Sequence, residues 1–225
     1  ETCIIVHIYT ELYGRQSYII NKVRSRRSSF SLNYFQPLTI LDIESYYKPG
    51  KELQRIKELK RQLPLDQIHS DVLKSSIVVF IAEIIYKTLH EAEPNHSMFN
   101  FLYHSIQFLE LMKKGVANYH LVFLVQYSKY IGIFPQIPLN QLNENFANQK
   151  LAEQLMEDTP FINLSADARK TLSELTKRSF QNLENINIVS NVRIELLEKL
   201  IDFYKLHYEN IGQINSLKVL KEVFH

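Results

Sequence analysis

Two hydrophobic periods divide the chain. Over residues 2–10 the apolar positions alternate, with Ile4, Val6 and Ile8 on one side and Ile5, His7 and Tyr9 on the other, the period-two pattern of a strand covered on both faces. Tyr13-Gly14-Arg15 reads as a turn in which Gly14 is free to take positive φ, and residues 16–23 return as the second strand of a hairpin. A strand-like run over residues 38–47 ends in Lys48-Pro49-Gly50-Lys51, with Pro and Gly at the central positions a type II turn demands, and residues 52–58 pair back. Four strands joined by short turns predict a small curled sheet or barrel, bounded near Pro64.

From Asp71 the spacing becomes helical. Ile77, Phe80, Ile81, Ile84, Ile85 and Leu89 form one stripe that Glu91-Ala92-Glu93-Pro94-Asn95 closes. A second helix carries Phe101, Leu102, Ile106, Leu109 and Met112 toward Gly115, and a third runs over residues 117–131 until Gly132 and Pro135 halt it. Residues 136–150 are rich in Asn and Gln and read as a connection, followed by a short helix over 151–156. Ser165 is placed to cap a helix over 166–177, with Asp167 in its first turn. A helix over 191–210 has Ile194, Leu197, Leu200, Ile201, Tyr204 and Tyr208 inward and Gly212 as its stop, and residues 216–224 add a last apolar segment. The fold class is therefore α+β with two domains, a small β-domain over 1–64 and an all-α domain over 65–225.

Charge separates along the same line. The net charge of +2 conceals 11 Lys and Arg against 6 Asp and Glu in residues 1–61, a balance of +5, and 15 against 18 in the remainder, a balance of −3. Attraction for a polyanion is thus to be sought first in the β-domain. Its densest part is Lys22, Arg24, Arg26 and Arg27, within six positions and free of carboxylates, interleaved with serines and followed by Phe30. Cations and hydroxyls suit phosphate oxygens, and an aromatic face suits a base. Arg15, Lys48 and Lys51 add charge nearby, Tyr18, Phe30, Tyr46 and Tyr47 supply the rings of the mixture that single-strand binders use, and Tyr18 and Phe30 are the stacking candidates. A plain solvated loop accounts for the same run of charge, and core packing accounts for either ring.

Catalytic patterns fail on spacing. The fourth position after His90 is Pro94, which ends the helix a His-Glu-x-x-His zinc site requires, so no metal is expected. Five glycines form no phosphate loop, no Gly-x-Ser-x-Gly elbow occurs, and Cys3, expected as a small buried side chain, has no base beside it. One cysteine excludes an internal disulfide and a four-cysteine zinc site. With no signal-peptide pattern and no membrane-spanning run of about 18 apolar residues, a reducing cytoplasmic setting fits. These exclusions favour a binding protein over an enzyme, with no cofactor.

The order of several short motifs resembles the bacterial recombination mediator family RecO. They are Thr10-Glu11-Leu12-Tyr13-Gly14-Arg15, the run ending Ser-Arg-Arg-Ser-Ser-Phe at Phe30, Phe35-Gln36-Pro37-Leu38, Lys48-Pro49-Gly50-Lys51-Glu52-Leu53-Gln54-Arg55, Ile81-Ala82-Glu83-Ile84-Ile85-Tyr86, Glu91-Ala92-Glu93-Pro94-Asn95, Tyr130-Ile131-Gly132-Ile133, Tyr204-Lys205-Leu206-His207 and Ser216-Leu217-Lys218-Val219-Leu220. The resemblance implies an N-terminal OB-fold, here lacking its first strand, ahead of a helical domain without a catalytic site. It also implies binding of single- and double-stranded DNA, strand annealing, and joint action with RecR and the acidic tail of single-strand-binding protein in loading RecA, at the nucleoid. Lys129, Lys205 and Lys218 are the candidate cations for that tail. Family chains begin with one more strand, so the natural chain is expected to extend ahead of Glu1, and the four-cysteine zinc module of many relatives is replaced here by the 136–150 segment. The rival reading is a helical protein-interaction scaffold whose β-domain recruits a partner and whose basic loop touches no nucleic acid.

Overall fold

The computed structural model describes residues 3–21, 30–134, 160–161 and 163–224. They fall into two compact units, Glu1–Leu111 and Met112–His225.

In the first unit, β1 (Ile4–Thr10) and β2 (Gly14–Ile20) form an antiparallel hairpin in the register Ile4 opposite Ile20 through Thr10 opposite Gly14. β3 (Leu41–Tyr46) and β4 (Leu53–Arg61) form a second antiparallel pair. A short parallel pairing of Ser17 with Leu53 and Tyr18 with Gln54 joins the two, giving the order β1-β2-β4-β3. The expected barrel is thus an open four-stranded sheet among the described residues. One face is buried because the alternation aims Tyr18, Ile20 and Ile56 inward, where Ile4, Val6, Ile8, Phe30, Phe35, Ile43 and Leu59 pack on them. Between Glu44 and Ser45 the register slips, so that Glu44 faces Glu58 but Ser45 faces Ile56, and Lys57 is the extra residue of a bulge. The hairpin turn needs glycine twice over. Gly14 has φ +59°, and a Cβ there would lie 2.4 Å from the carbonyl oxygen of Glu93.

Helices α1 (Asp66–Ser70), α2 (Val72–Thr88) and α3 (His96–Leu111) complete this unit. Asp71 caps α2, its Oδ1 accepting from the amides of Leu73 and Lys74. Glu110 does the same across space for α1, accepting from Gln67 and Ile68, and the buried Lys74 donates to the Glu110 carbonyl at 2.8 Å. The hairpin end is tied to the segment after α2, the Arg15 amide donating to the Glu91 carbonyl at 2.8 Å. Pro64 therefore marks where strands give way to helices, while the compact units divide between Leu111 and Met112.

In the second unit α4 (Tyr119–Tyr130) is buried over nine of its twelve residues, with α5 (Ala166–Lys177), α6 (Ser190–His207) and α7 (Ser216–Val223) following. Ser165 caps α5 as its sequence position predicts, accepting from the Ala168 amide, and its hydroxyl donates to Glu195 on α6. The interior is closed by polar groups in specific pairs. Tyr204 donates its hydroxyl to the Leu124 carbonyl at 2.7 Å. Arg193 donates to Asn118 Oδ1 and the Ile188 carbonyl, and Asn118 donates to the Ile186 carbonyl. His120 is wholly buried against the Phe224 ring, and burial, aided by the Arg193 charge, lowers its pKa to about 3. The connection expected over residues 136–150 and the short helix expected over 151–156 lie outside the described residues.

Candidate nucleic-acid interface

Lys22, Arg24, Arg26 and Arg27, the densest cations of the sequence, lie outside the described residues. The remaining candidates separate sharply. Arg15 Nη1 donates to the carbonyls of Tyr86 and Leu89, both at 2.9 Å, and to Nδ1 of His90 at 2.8 Å, while the guanidinium lies 4.6 Å above the Tyr86 ring. The end of α2 offers carbonyls without helical partners and the negative end of its dipole, and Arg15 answers both. It is a bracket for the hairpin, and not the free cation expected of it. Tyr18 is also corrected. Only 2% exposed, its ring lies in the core because its position in β2 shares a face with Ile20, and it offers no surface to a base. Burial raises the pKa of its hydroxyl, which a hydrogen bond with Ser45 partly offsets. Phe30 is half-buried on the same cluster. Cys3, expected inside, is exposed and donates its thiol to Asn21.

Lys48 and Lys51 are exposed on the turn between β3 and β4. Gly50 has φ +76° and the Lys51 amide donates to the Lys48 carbonyl at 3.3 Å, the type II geometry that Pro49-Gly50 predicts. A side chain then fixes the loop from within. Gln54, 2% exposed, accepts from the Lys48 amide and donates to the carbonyls of Lys48 and Lys51, all at 2.9 Å.

The β1–β2 turn meets this loop through two rings. Tyr13 and Tyr47 stack with centroids 4.4 Å apart and planes 17° from parallel, yet are 39% and 42% exposed. Thr10 holds the Tyr13 side of the pair, accepting from the Tyr13 amide and donating to the Gly14 carbonyl. Tyr46, 57% exposed, stands directly across the ladder from exposed Arg55. Neither Lys48, Lys51 nor Arg55 joins an ion pair among the described residues, and Glu52 is the one carboxylate in this loop. Further along the ribbon the cations are engaged. Lys57 pairs with Glu44 at 2.6 Å, Lys60 with Asp42 at 3.2 Å, and Arg61 donates to the Asn33 carbonyl and covers the Tyr34 ring.

Sequence reasoning placed Tyr46 and Tyr47 among the rings beside the cations but passed over Tyr13 and Arg55 as site residues. Tyr13 was detectable as an aromatic at the first turn, but Arg55 gains its place opposite Tyr46 only through the bulge, which no local pattern reveals.

The same unit holds a cavity of about 450 Å³ between β1, residues 34–41 and the helices α2 and α3. Its walls are largely apolar, with the Tyr9 hydroxyl buried and without a hydrogen-bond partner among the described residues. His7 Nδ1 meets the Ser17 hydroxyl at 2.9 Å, and burial and the Arg15 charge lower the His7 pKa. In the second unit Lys129, Lys205 and Lys218 lie on three different helices. Lys129 donates to the Thr176 carbonyl and lies 4.8 Å from the Phe134 ring, and burial lowers its pKa; Lys205 and Lys218 are exposed. Among the described residues no group of three or more His, Cys, Asp and Glu is placed to hold a metal, and no helix is long and apolar enough to cross a membrane.

Two family models match the chain, "Recombination protein O N terminal" over residues 1–62 and "Recombination protein O C terminal" over residues 69–138. Its relatives include the DNA repair protein RecO of Flavobacterium psychrophilum, 35% identical over 226 residues that cover 100% of this chain and 93% of the relative. The protein of the same name from Bacteroides fragilis is 32% identical over 231 residues, covering 100% and 93%. That of Azobacteroides pseudotrichonymphae is 31% identical over 222 residues, covering 98% and 91%.

Proposed function

The chain belongs to the RecO family of DNA repair proteins, and from that premise we propose that it is a non-catalytic recombination mediator that binds single- and double-stranded DNA without sequence preference. The observation that carries this reading is the excess of positive charge at one end of the sheet, where Lys48, Lys51 and Arg55 lie exposed close in sequence to the exposed Tyr46 and Tyr47. In sequence, the Lys22, Arg24, Arg26 and Arg27 run adds cations to the same stretch, residues 1–64. Phosphate neutralisation supplies affinity that carries no base information, so two complementary strands can be held, screened from each other, and annealed. In this reading residues 1–64 hold DNA and residues 65–225 meet the acidic tail of single-strand-binding protein, with exposed Lys205 and Lys218 better placed to serve than the engaged Lys129. RecR is the second protein partner, RecA loading is the outcome, and the setting is the cytoplasm at the nucleoid.

Anisotropy of a labelled single-stranded oligonucleotide, titrated at several salt concentrations, tests the reading. With about four phosphates neutralised, log K should fall against log salt with a slope near −3, and Arg24/Arg26/Arg27→Ala should flatten it. No binding by the folded chain would reject it. A protein-interaction scaffold is then the reading to take up, since Leu12 and Leu53 are exposed on the same β-domain.

A further inference from the structure

We infer that the stacked pair Tyr13–Tyr47 is a base-binding site for unpaired nucleotides, at which the turn lysines Lys48 and Lys51 hold the phosphates. This deepens the DNA-binding reading and rests on it. Three observations carry the assignment. The first is that the stack is not needed to hold the turns. Gln54 fixes the β3–β4 loop with three hydrogen bonds, Thr10 fixes the β1–β2 turn with two, and Gly14 and Arg15 pin the hairpin to the segment after α2. The second is exposure. Although stacked on each other, both rings keep more than a third of their surface in water. Their free faces extend an existing stack, the surface an unstacked base seeks.

The third observation is charge placed to suit a nucleotide. Arg55, the cross-strand partner of Tyr46, adds exposed charge at the same end of the β3–β4 ribbon. Lys48 and Lys51 follow Tyr47 in the chain on a loop whose conformation is already set. Bases inside a duplex cannot reach these rings, so the site selects unpaired strand.

The test compares a labelled oligothymidylate with an abasic oligonucleotide of the same length, against the wild-type chain, Tyr13→Ala/Tyr47→Ala and Tyr13→Phe/Tyr47→Phe. The alanine pair should bind the oligothymidylate about tenfold more weakly or worse, with an unchanged salt slope. It should bind the abasic strand as wild type does, and the phenylalanine pair should match wild type on both. The chain has no tryptophan, so Tyr47→Trp adds a single reporter whose emission oligothymidylate should quench and the abasic strand should not. Unchanged oligothymidylate binding by the alanine pair, or equal losses on both strands, would overturn the site while leaving DNA binding intact. A wild-type chain that binds neither strand would overturn the functional reading itself, and a tryptophan indifferent to both strands would overturn the site even if the alanine pair failed to fold.

Discussion

Arg55 and Arg193 are single arginines within regular elements, and the structure uses them in opposite ways. In the first unit Arg55 is exposed across from the exposed Tyr46 and joins no ion pair among the described residues. In the second, Arg193 is half-buried, its Nε and Nη2 given to Asn118 and the Ile188 carbonyl, its plane near the Phe224 ring and the neutral His120. In the proposed reading the first unit keeps this charge for a ligand, whereas the second uses it to close a core. Substitutions should therefore separate cleanly, stability moving with one set and affinity with the other.

The largest effect should come from acid. Above pH 6.5 neither the folded nor the unfolded chain protonates His120, and the group is silent. As pH falls from 6.5 toward 3 only the unfolded chain takes the proton, so stability drops by up to about 1.4 kcal/mol per pH unit. Urea titrations across that interval should show His120→Leu losing stability less steeply than wild type, and parallel curves would refute the linkage. Next, Arg193→Met should cost about 2–3 kcal/mol by leaving Asn118 Oδ1 and the Ile188 carbonyl without their charged donor. Oligonucleotide affinity of the folded variant should not change; if it does, the proposed division between the two arginines fails.

Lys48→Gln/Lys51→Gln/Arg55→Gln probes the other side. The single-strand salt slope should become shallower by about one, roughly 0.7 for each phosphate these cations share with the Arg24–Arg27 run, while the urea midpoint stays put. Arg15→Gln sharpens the contrast, because a bracket lost from the hairpin weakens binding without altering the slope. The smallest effect should follow Asp42→Asn/Glu44→Gln. Freeing Lys60 and Lys57 gives the far end of the β3–β4 ribbon the net charge its lysines lack now, and affinity measured by anisotropy should rise a few-fold with stability within about 0.5 kcal/mol of wild type.

Local chemistry was legible in the sequence wherever a residue acts on its own neighbours. Ser165, Gly14 and the Pro49-Gly50 turn behave as their positions predict. Membership of the RecO family, carried by short motifs in order, agrees with the relatives found. What the sequence could not reveal is where a side chain ends up when both faces of a strand are apolar. Alternation in β2 does not say that Tyr18 points inward, and nothing near Arg15 in sequence announces the carbonyls of Tyr86 and Leu89, seventy residues away. The site followed the same rule. Lys48 and Lys51 were found by charge, whereas the pairing of Tyr13 with Tyr47 and the place of Arg55 depend on which strands lie side by side.

Gln54 has a consequence for rates. A loop that must be ordered by its ligand gives up part of the interaction free energy on every encounter, and its association passes through a slow rearrangement. The loop between β3 and β4 is ordered by a buried amide before any strand arrives. Capture at this end of the sheet should then be a single collision step, limited by diffusion and hastened by long-range attraction at low salt, with mutational losses appearing in how soon the strand leaves.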